Sequence, residues 1–558
     1  MSSFIHLHEL EISFNRNGVY EPVVESVNFS LQQGKTVAIV GESGSGKSVT
    51  ATALLDLLPE GSGKITNGQL TFTKSEEAVF VLPDQANKWA ALRGRYIAMV
   101  FQNALSGLNP VFTCGTQLMD VLKKHHPKKA NKTHIYTLLS EVKLPEPERI
   151  YKSYPHQLSG GQLQRVMIAM ALACEPHFLL ADEPTTALDP SLQLAIINLL
   201  KDIQQKRNIG ILFITHDLHL IKGFAHEIGV MYAGNLIEYG HSDEVLSNPK
   251  EDYTRALLAC KPRIDTNQGH LPTVSEILNG NDIRFEPLPQ ERVIRWEEMP
   301  VIEAMHLKKT YEQSQSWKKN RLVTALDDVS LEVFKNEALG IVGESGSGKS
   351  TIAKILCGLE RPDSGKVRIH RTTWLNYTQQ QRYAWSKSVQ LIFQDPYSVF
   401  NPKKTIFNQV LEVFKVHRSE NNNQTKKQAT REVLKQVGLE EELFHRYPHQ
   451  LSGGQLQRAS IARALAVKPN VIICDESVSA LDVSVQAHIL NLLKKLKALY
   501  ELSFVFIAHD MGVVRYFCDR VLVMHEGKVV EEGKVNTIFE HPKHEYTKQL
   551  IAVGKALT

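Results

Sequence analysis

The sequence lacks any uninterrupted apolar run of about 18 residues, the length a helix needs to cross a bilayer, so no membrane span is expected. It also lacks charge of one dominant sign. The 64 Lys and Arg nearly balance 60 Asp and Glu, for a net +4, which removes the bulk electrostatic case for a nucleic-acid binder. Cysteine is scarce: the six thiols, at 114, 174, 260, 357, 474 and 518, form no CxxC pair. A zinc or redox motif is therefore not expected, and isolated thiols suit small buried residues in a reducing compartment. The first residues carry neither a basic n-region nor a long apolar core, so no secretory signal is expected and a cytoplasmic setting is. What remains is 42% hydrophobic and 22% charged, the composition of a globular protein. At 558 residues the chain exceeds one typical domain.

An internal repeat organises the chain. The octapeptide Gly41-Glu-Ser-Gly-Ser-Gly-Lys-Ser48 returns letter for letter at Gly343 to Ser350. The block from Tyr154 to Arg165 returns whole at Tyr447 to Arg458, Asp182-Glu183 as Asp475-Glu476, and His216-Asp217 as His509-Asp510. These last three recur at one constant spacing. The glycine loops lie slightly further apart, which fits the extra Gln313 to Arg321 segment early in the second copy. So long a period means a duplicated domain. Each copy reads as α/β. The apolar runs Thr36–Val40, Phe178–Ala181 and Gly210–Thr215, with Ala338–Val342, Val471–Cys474 and Ser503–Ala508, fit strands buried on both faces of a parallel sheet. Helical patterns such as Leu163 to Cys174 and Ser191 to Gln205 lie between them. The boundaries expected are 1–260 and 301–558 for the domains, with a proline-rich linker at 261–300.

The glycine loop is a P-loop. Gly41, Ser43, Gly44 and Gly46, and in the second copy Gly343, Ser345, Gly346 and Gly348, let backbone N–H groups curl around phosphate oxygens. Lys47 and Lys349 reach the β/γ-phosphates, and Ser48 and Ser350 place a hydroxyl on Mg²⁺. Each loop follows a predicted strand and opens a helix, whose N-terminus favours an anion. Asp182 and Asp475 end apolar strands, where a carboxylate can hold Mg²⁺. Strand alternation turns the next residue, Glu183 or Glu476, the other way, as suits a carboxylate that orients or deprotonates attacking water.

With these motifs in view, Leu158-Ser-Gly-Gly-Gln162 and Leu451-Ser-Gly-Gly-Gln455 resemble the signature of ABC ATPases, and the resemblance covers nearly the whole chain. It implies two tandem P-loop NTPase domains, each with a RecA-like core, an antiparallel β subdomain and a helical subdomain, the latter at about 104–153 and 397–446. It implies ATP and Mg²⁺ as cofactors, with Gln102 and Gln394 as the Q-loop residues that sense the metal. His216 and His509 match the switch histidine at the γ-phosphate, and Ala187-Leu-Asp189 and Ala480-Leu-Asp482 the D-loop. Phe14 and Tyr311 are the aromatics expected to stack on adenine, with Tyr20 competing with Phe14. In the family one cassette's signature closes the other's ATP site. That pairs Lys47, Glu183 and His216 with Ser452, Gly453, Gly454 and Gln455, and pairs Lys349, Glu476 and His509 with Ser159, Gly160, Gly161 and Gln162.

The finer resemblance is to the peptide/nickel importer family, whose two ATPase types are fused here. Both copies end in its tail pattern, Asn248-Pro-Lys-Glu-Asp-Tyr-Thr-Arg-Ala-Leu-Leu258 and His541-Pro-Lys-His-Glu-Tyr-Thr-Lys-Gln-Leu-Ile551. Only Cys260 lies where some relatives carry a four-cysteine iron–sulfur motif, so no cluster is expected. The resemblance implies two permease subunits, an extracytoplasmic solute-binding protein, a peripheral location on the cytoplasmic face of the inner membrane, and one chain per transporter. A ribosome-associated twin-cassette factor is the alternative from another class. Between Lys261 and Pro300, however, the five basic residues, seven acidic residues and interior prolines 262, 272, 287 and 289 make a poor helix and a poor RNA binder. A sugar-type twin-cassette subunit is a third reading, but many of those have one degraded site, and here neither site has lost a residue.

Overall fold

The computed structural model describes residues 3–74, 77–82, 92–186, 188–265, 269–280, 299–313, 321–369, 372–373, 378–417, 422–479 and 481–557. The central linker residues, the interior of the Gln313 to Arg321 segment and the D-loop alanines Ala187 and Ala480 lie outside this set. The chain forms two compact units, 1–258 rejoined by 274–281, and 259–273 with 282–558.

In the first unit the apolar runs become adjacent parallel strands. Glu227–Tyr232, Thr36–Val40, Gly210–Thr215, Phe178–Asp182 and Ile97–Val100 lie side by side in that order. Every residue of Thr36–Val40, Phe178–Asp182 and Gly210–Thr215 is buried, as a sheet covered on both faces requires. Antiparallel strands Ser3–Arg16, Val19–Gln32 and Gly63–Lys74 extend the sheet. The helical subdomain consists of Cys114–His125, Lys132–Glu141 and Pro147–Lys152. Its first two helices start at side-chain caps, where Thr113 accepts from Thr116 N and Asn131 from His134 N.

The second unit repeats the plan. Strands Val389–Ile392, Val471–Asp475, Ser503–Ala508, Ala338–Val342 and Arg520–His525 run parallel, closed by antiparallel Lys528–Lys534. Here the antiparallel subdomain, led by Ile302–Gln313 and Arg321–Val333, is a separate four-stranded sheet. Helices Ile406–His417 and Asn423–Gln436 form the helical part.

The stretch after the first tail packs within the second unit. Lys261 Nζ donates to the Leu557 carbonyl at 2.8 Å. Leu271 and Asn491 exchange hydrogen bonds of 3.1 and 2.7 Å. Ile264 lies so close over Gly554 that a Cβ added there would meet it at 2.5 Å. This segment is buried at Lys261, Pro262, Ile264, Leu271 and Pro272.

The strand that leads into the second P-loop begins beside a buried ion pair. Glu337 is fully buried, and Arg520 Nη1 lies 2.9 Å from its carboxylate. Arg520 also donates to the Glu332 carbonyl at 2.6 Å. Burial raises the Glu337 carboxyl to about 7, against the pull of the guanidinium. Breaking such a pair leaves the buried carboxyl without its partner, at a cost of about 3–5 kcal/mol. Arg520→Met is therefore expected to destabilise the second unit by that order, read by urea unfolding of the full chain. A loss below about 1 kcal/mol, the scale of an exposed ion pair, would show that the pair does not anchor this strand.

Candidate functional site

Each P-loop follows a strand whose residues are all buried, Thr36–Val40 and Ala338–Val342. Helices Lys47–Ala53 and Lys349–Leu356 open at Gly46 and Gly348, which sit at φ 101° and 104°. That left-handed geometry favours glycine. A Cβ at Gly46 would also come within 2.9 Å of Val24, and one at Gly348 within 2.4 Å of the Ala325 carbonyl. The lysines are folded back over their loops. Lys47 Nζ donates to the Gly41 and Glu42 carbonyls at 2.8 and 2.7 Å, and Lys349 Nζ to those of Gly343 and Glu344 at 2.8 Å each. The ammonium thus lies against the loop that would cradle a phosphate.

The strand-end acids meet the loop from across the sheet. Ser48 Oγ donates to Asp182 Oδ1 at 2.9 Å, and Ser350 Oγ to Asp475 Oδ1 at 3.1 Å. Burial raises both aspartate carboxyls above their ordinary value, against the serine hydrogen bonds. Two desolvated acids, each beside a hydroxyl, offer hard oxygen donors that suit Mg²⁺. Ser48 with Asp182 and Gln102, and Ser350 with Asp475 and Gln394, are the groups that would hold it.

Glu183 and Glu476 gather the remaining polar groups. Gln102 Nε2 donates to Glu183 Oε2 at 2.9 Å, and Thr186 Oγ1 donates to the same oxygen at 2.8 Å. His216 Nδ1 lies 3.5 Å from it. In the second copy Gln394 Nε2 donates to Glu476 Oε2 at 2.8 Å, with His509 Nδ1 at 3.8 Å. Burial pushes the Glu183 carboxyl up, but His216, Thr186 and Lys47 outweigh it and hold it at about 2. Glu476 is held low mainly by the neighbouring His509. Both glutamates have left-handed backbone, φ 43° and 46°. Pleat alternation alone therefore does not redirect their side chains; a strained turn directly after the strand does. The copies differ beside this carboxylate: where Thr186 contacts it, Ser479 Oγ donates to the Glu476 backbone carbonyl at 2.8 Å.

The signatures open long helices. Ser159 caps Gly160–Leu172 and Ser452 caps Gly453–Leu465, each in a reciprocal pair with Gln162 or Gln455. Ser159, Gly160 and Ser452 are exposed, Gly453 is half-buried, and Gly161 and Gly454 are buried. Of the aromatics, Phe14 is half-buried against the first core, close to Leu58 and Gly63. Tyr20 is 39% exposed with Lys64 Nζ 3.8 Å above its ring. Tyr311 is 37% exposed and donates to Glu360 Oε2 at 2.6 Å. Sequence reasoning overlooked one contact. Tyr253 Oη accepts from the Glu42 N–H at 3.1 Å, and Tyr546 Oη from the Glu344 N–H at 2.9 Å. The signal is the twin tail pattern, in which Tyr253 and Tyr546 occupy the same place.

Two family models match the chain. One, described as ABC transporter, matches residues 24–186 and 326–479. The other, described as oligopeptide/dipeptide transporter, C-terminal region, matches 237–282 and 530–556. The chain belongs to the ABC transporter family, in its oligopeptide/dipeptide branch. The glutathione import ATP-binding protein GsiA of Escherichia coli (strain K12) is 40% identical over 98% of this chain and 88% of its own length. The GsiA of Salmonella choleraesuis (strain SC-B67) is 38% identical over 97% and 88%. Among solved structures, the dimeric MJ0796 cassette bound to ADP and Pi is 31% identical, covering 42% of this chain and 98% of that chain, with a TM-score of 0.38. The chain is thus an ATPase and the ATP-binding subunit of an importer, which implies membrane permease partners. Neither the ribosomal nor the sugar-type reading is favoured by these matches. Among the described residues no helix is long and apolar enough to cross a membrane.

Proposed function

We propose that this protein hydrolyses ATP at two composite sites to drive import of glutathione or other short peptides. The observation that carries the reading is likeness over nearly the full length to GsiA import proteins, joined to an intact set of site residues in both cassettes. In each site the P-loop with Lys47 or Lys349 holds the phosphates. Ser48, Gln102 and Asp182, or Ser350, Gln394 and Asp475, would hold Mg²⁺, whose charge would neutralise the β/γ-phosphates. Glu183 and Glu476 orient the attacking water, while His216 and His509 contact the γ-phosphate. Phe14 and Tyr311 stack on adenine. Each site is completed head-to-tail by the other cassette's signature, whose exposed helix N-terminus favours an anion.

One chain at the cytoplasmic face would serve one transporter, with two permease subunits and an extracytoplasmic binding protein. Exposed groups beside the helical subdomains support two unlike permeases. The first cassette presents Val111 and Phe112, 70% and 51% exposed. At the corresponding positions the second presents exposed Lys403 and Lys404. Co-expressed with its cognate permeases, the chain should co-purify as a single copy with two permease subunits and show ATPase activity stimulated by a peptide-loaded binding protein. Sedimentation with ribosomes and no permease association would overturn the importer reading. Stimulation by a non-peptide solute alone would overturn the cargo class.

A further inference from the structure

We propose that Tyr253 and Tyr546 are positioning residues of the two nucleotide sites: each hydroxyl latches the tail of its cassette to that cassette's own P-loop and tunes its affinity for nucleotide. The proposal rests on reading both P-loops as nucleotide sites.

The latch begins in the loop. Glu42 is the second P-loop residue, and both of its backbone groups are engaged. Its N–H donates to Tyr253 Oη at 3.1 Å, and its carbonyl accepts from Lys47 Nζ at 2.7 Å. Glu344 is held the same way, by Tyr546 Oη at 2.9 Å and Lys349 Nζ at 2.8 Å. The tyrosine thus fixes the peptide against which the phosphate-binding ammonium rests. Both phenols are nearly fully buried, with 3% and 8% exposure, so removing the hydroxyl leaves the amide short of a partner that water replaces poorly.

The sheet holds each tyrosine and the tail around it. Tyr253 packs on Tyr232 with ring centroids 4.4 Å apart, and Tyr546 on His525 at 4.1 Å. Just upstream, a carboxylate grips the tail backbone. Glu238 accepts from Lys250 N and Glu251 N at 2.9 and 3.3 Å. Glu531 accepts from Lys543 N and His544 N at 2.8 and 3.0 Å. The same three-part assembly of carboxylate clamp, stacked ring and P-loop amide occurs in both copies, although neighbouring tail residues differ. Duplication across diverged sequence argues against a chance packing contact.

The test uses the full chain, with Mg²⁺ and trinitrophenyl-ATP as the probe. Tyr253→Phe in a Lys349→Ala background, and Tyr546→Phe in a Lys47→Ala background, each isolate one site. Each Phe substitution should weaken probe binding about three- to tenfold, the scale of one hydrogen bond. Hydrogen exchange should quicken in the peptide spanning 36–47 for Tyr253→Phe, and clearly less in the peptide spanning 248–259, which the Glu238 clamp still holds. A merely structural tyrosine would speed exchange equally in both peptides and leave probe affinity unchanged; that result overturns the proposal, as does unchanged loop exchange. Should a Phe variant fail to fold, Glu238→Gln must quicken P-loop exchange, and its failure to do so would equally overturn the latch. Lys47→Ala alone keeps the two readings apart. If it binds probe at its own site as wild type does, the nucleotide-site reading fails. If only the Phe variants are silent, the latch alone fails.

Discussion

ATP turnover by the chain assembled with its permeases is expected to fall by about 10²- to 10⁴-fold, the usual contribution of a general base, when Glu183 and Glu476 are both replaced by Gln. Nucleotide binding is expected to survive. The physical reason lies in the surroundings of the two carboxylates. Gln102, Thr186 and His216 all converge on Glu183 Oε2, and His216, Thr186 and Lys47 outweigh burial to keep the group ionised. A Gln at this position has nearly the same shape, so the strained turn at φ 43° and the adjacent Ser48–Asp182 contact are preserved. What is lost is the negative charge that orients or deprotonates water. Each single variant should silence one site, measured as phosphate release at saturating ATP. A single variant that retains wild-type turnover would remove that glutamate from the role.

Lys47→Ala should weaken nucleotide binding at the first site on the order of 10²-fold, because charge-assisted hydrogen bonds contribute about 1.5–3 kcal/mol each and the ammonium can make more than one to phosphate oxygens. Lys47 is only 3% exposed, and its carbonyl partners at Gly41 and Glu42 belong to the loop itself. Water does not readily substitute for it there. Equilibrium titration in a Lys349→Ala background reads the first site alone. Affinity unchanged by the second substitution would take Lys47 out of the phosphate cradle.

Much of the site was legible because its chemistry is local. A P-loop needs glycines at positive φ, then a lysine and a hydroxyl, all within eight residues, and the strand before it needs only apolar side chains. The Thr36–Val40 and Gly210–Thr215 runs accordingly became strands with the same limits. The Leu163 to Cys174 pattern corresponds to the helix Gly160–Leu172, which starts three residues earlier and ends two residues sooner; its cap is a serine–glutamine pair that hydropathy does not register. Phe14 shows where pattern reading loses resolution: an aromatic on a half-buried strand looks the same whether it faces core or ligand.

The sequence by itself determined the duplication, the α/β class, the two P-loops, the acid pairs and the signatures, because each depends on neighbours in the chain or on a backbone angle that few residues accept. Only the tertiary structure decided which distant groups meet: Ser48 with Asp182, Gln102 and His216 with Glu183, Tyr253 with Glu42, and residues 259–273 with the second unit. Those pairings follow from parallel strands that bring their ends to one edge of a sheet, and from apolar surfaces such as Ile264 that bury where a complementary surface exists. No local pattern encodes such a partner, since its energy resides in contact between segments far apart in the chain.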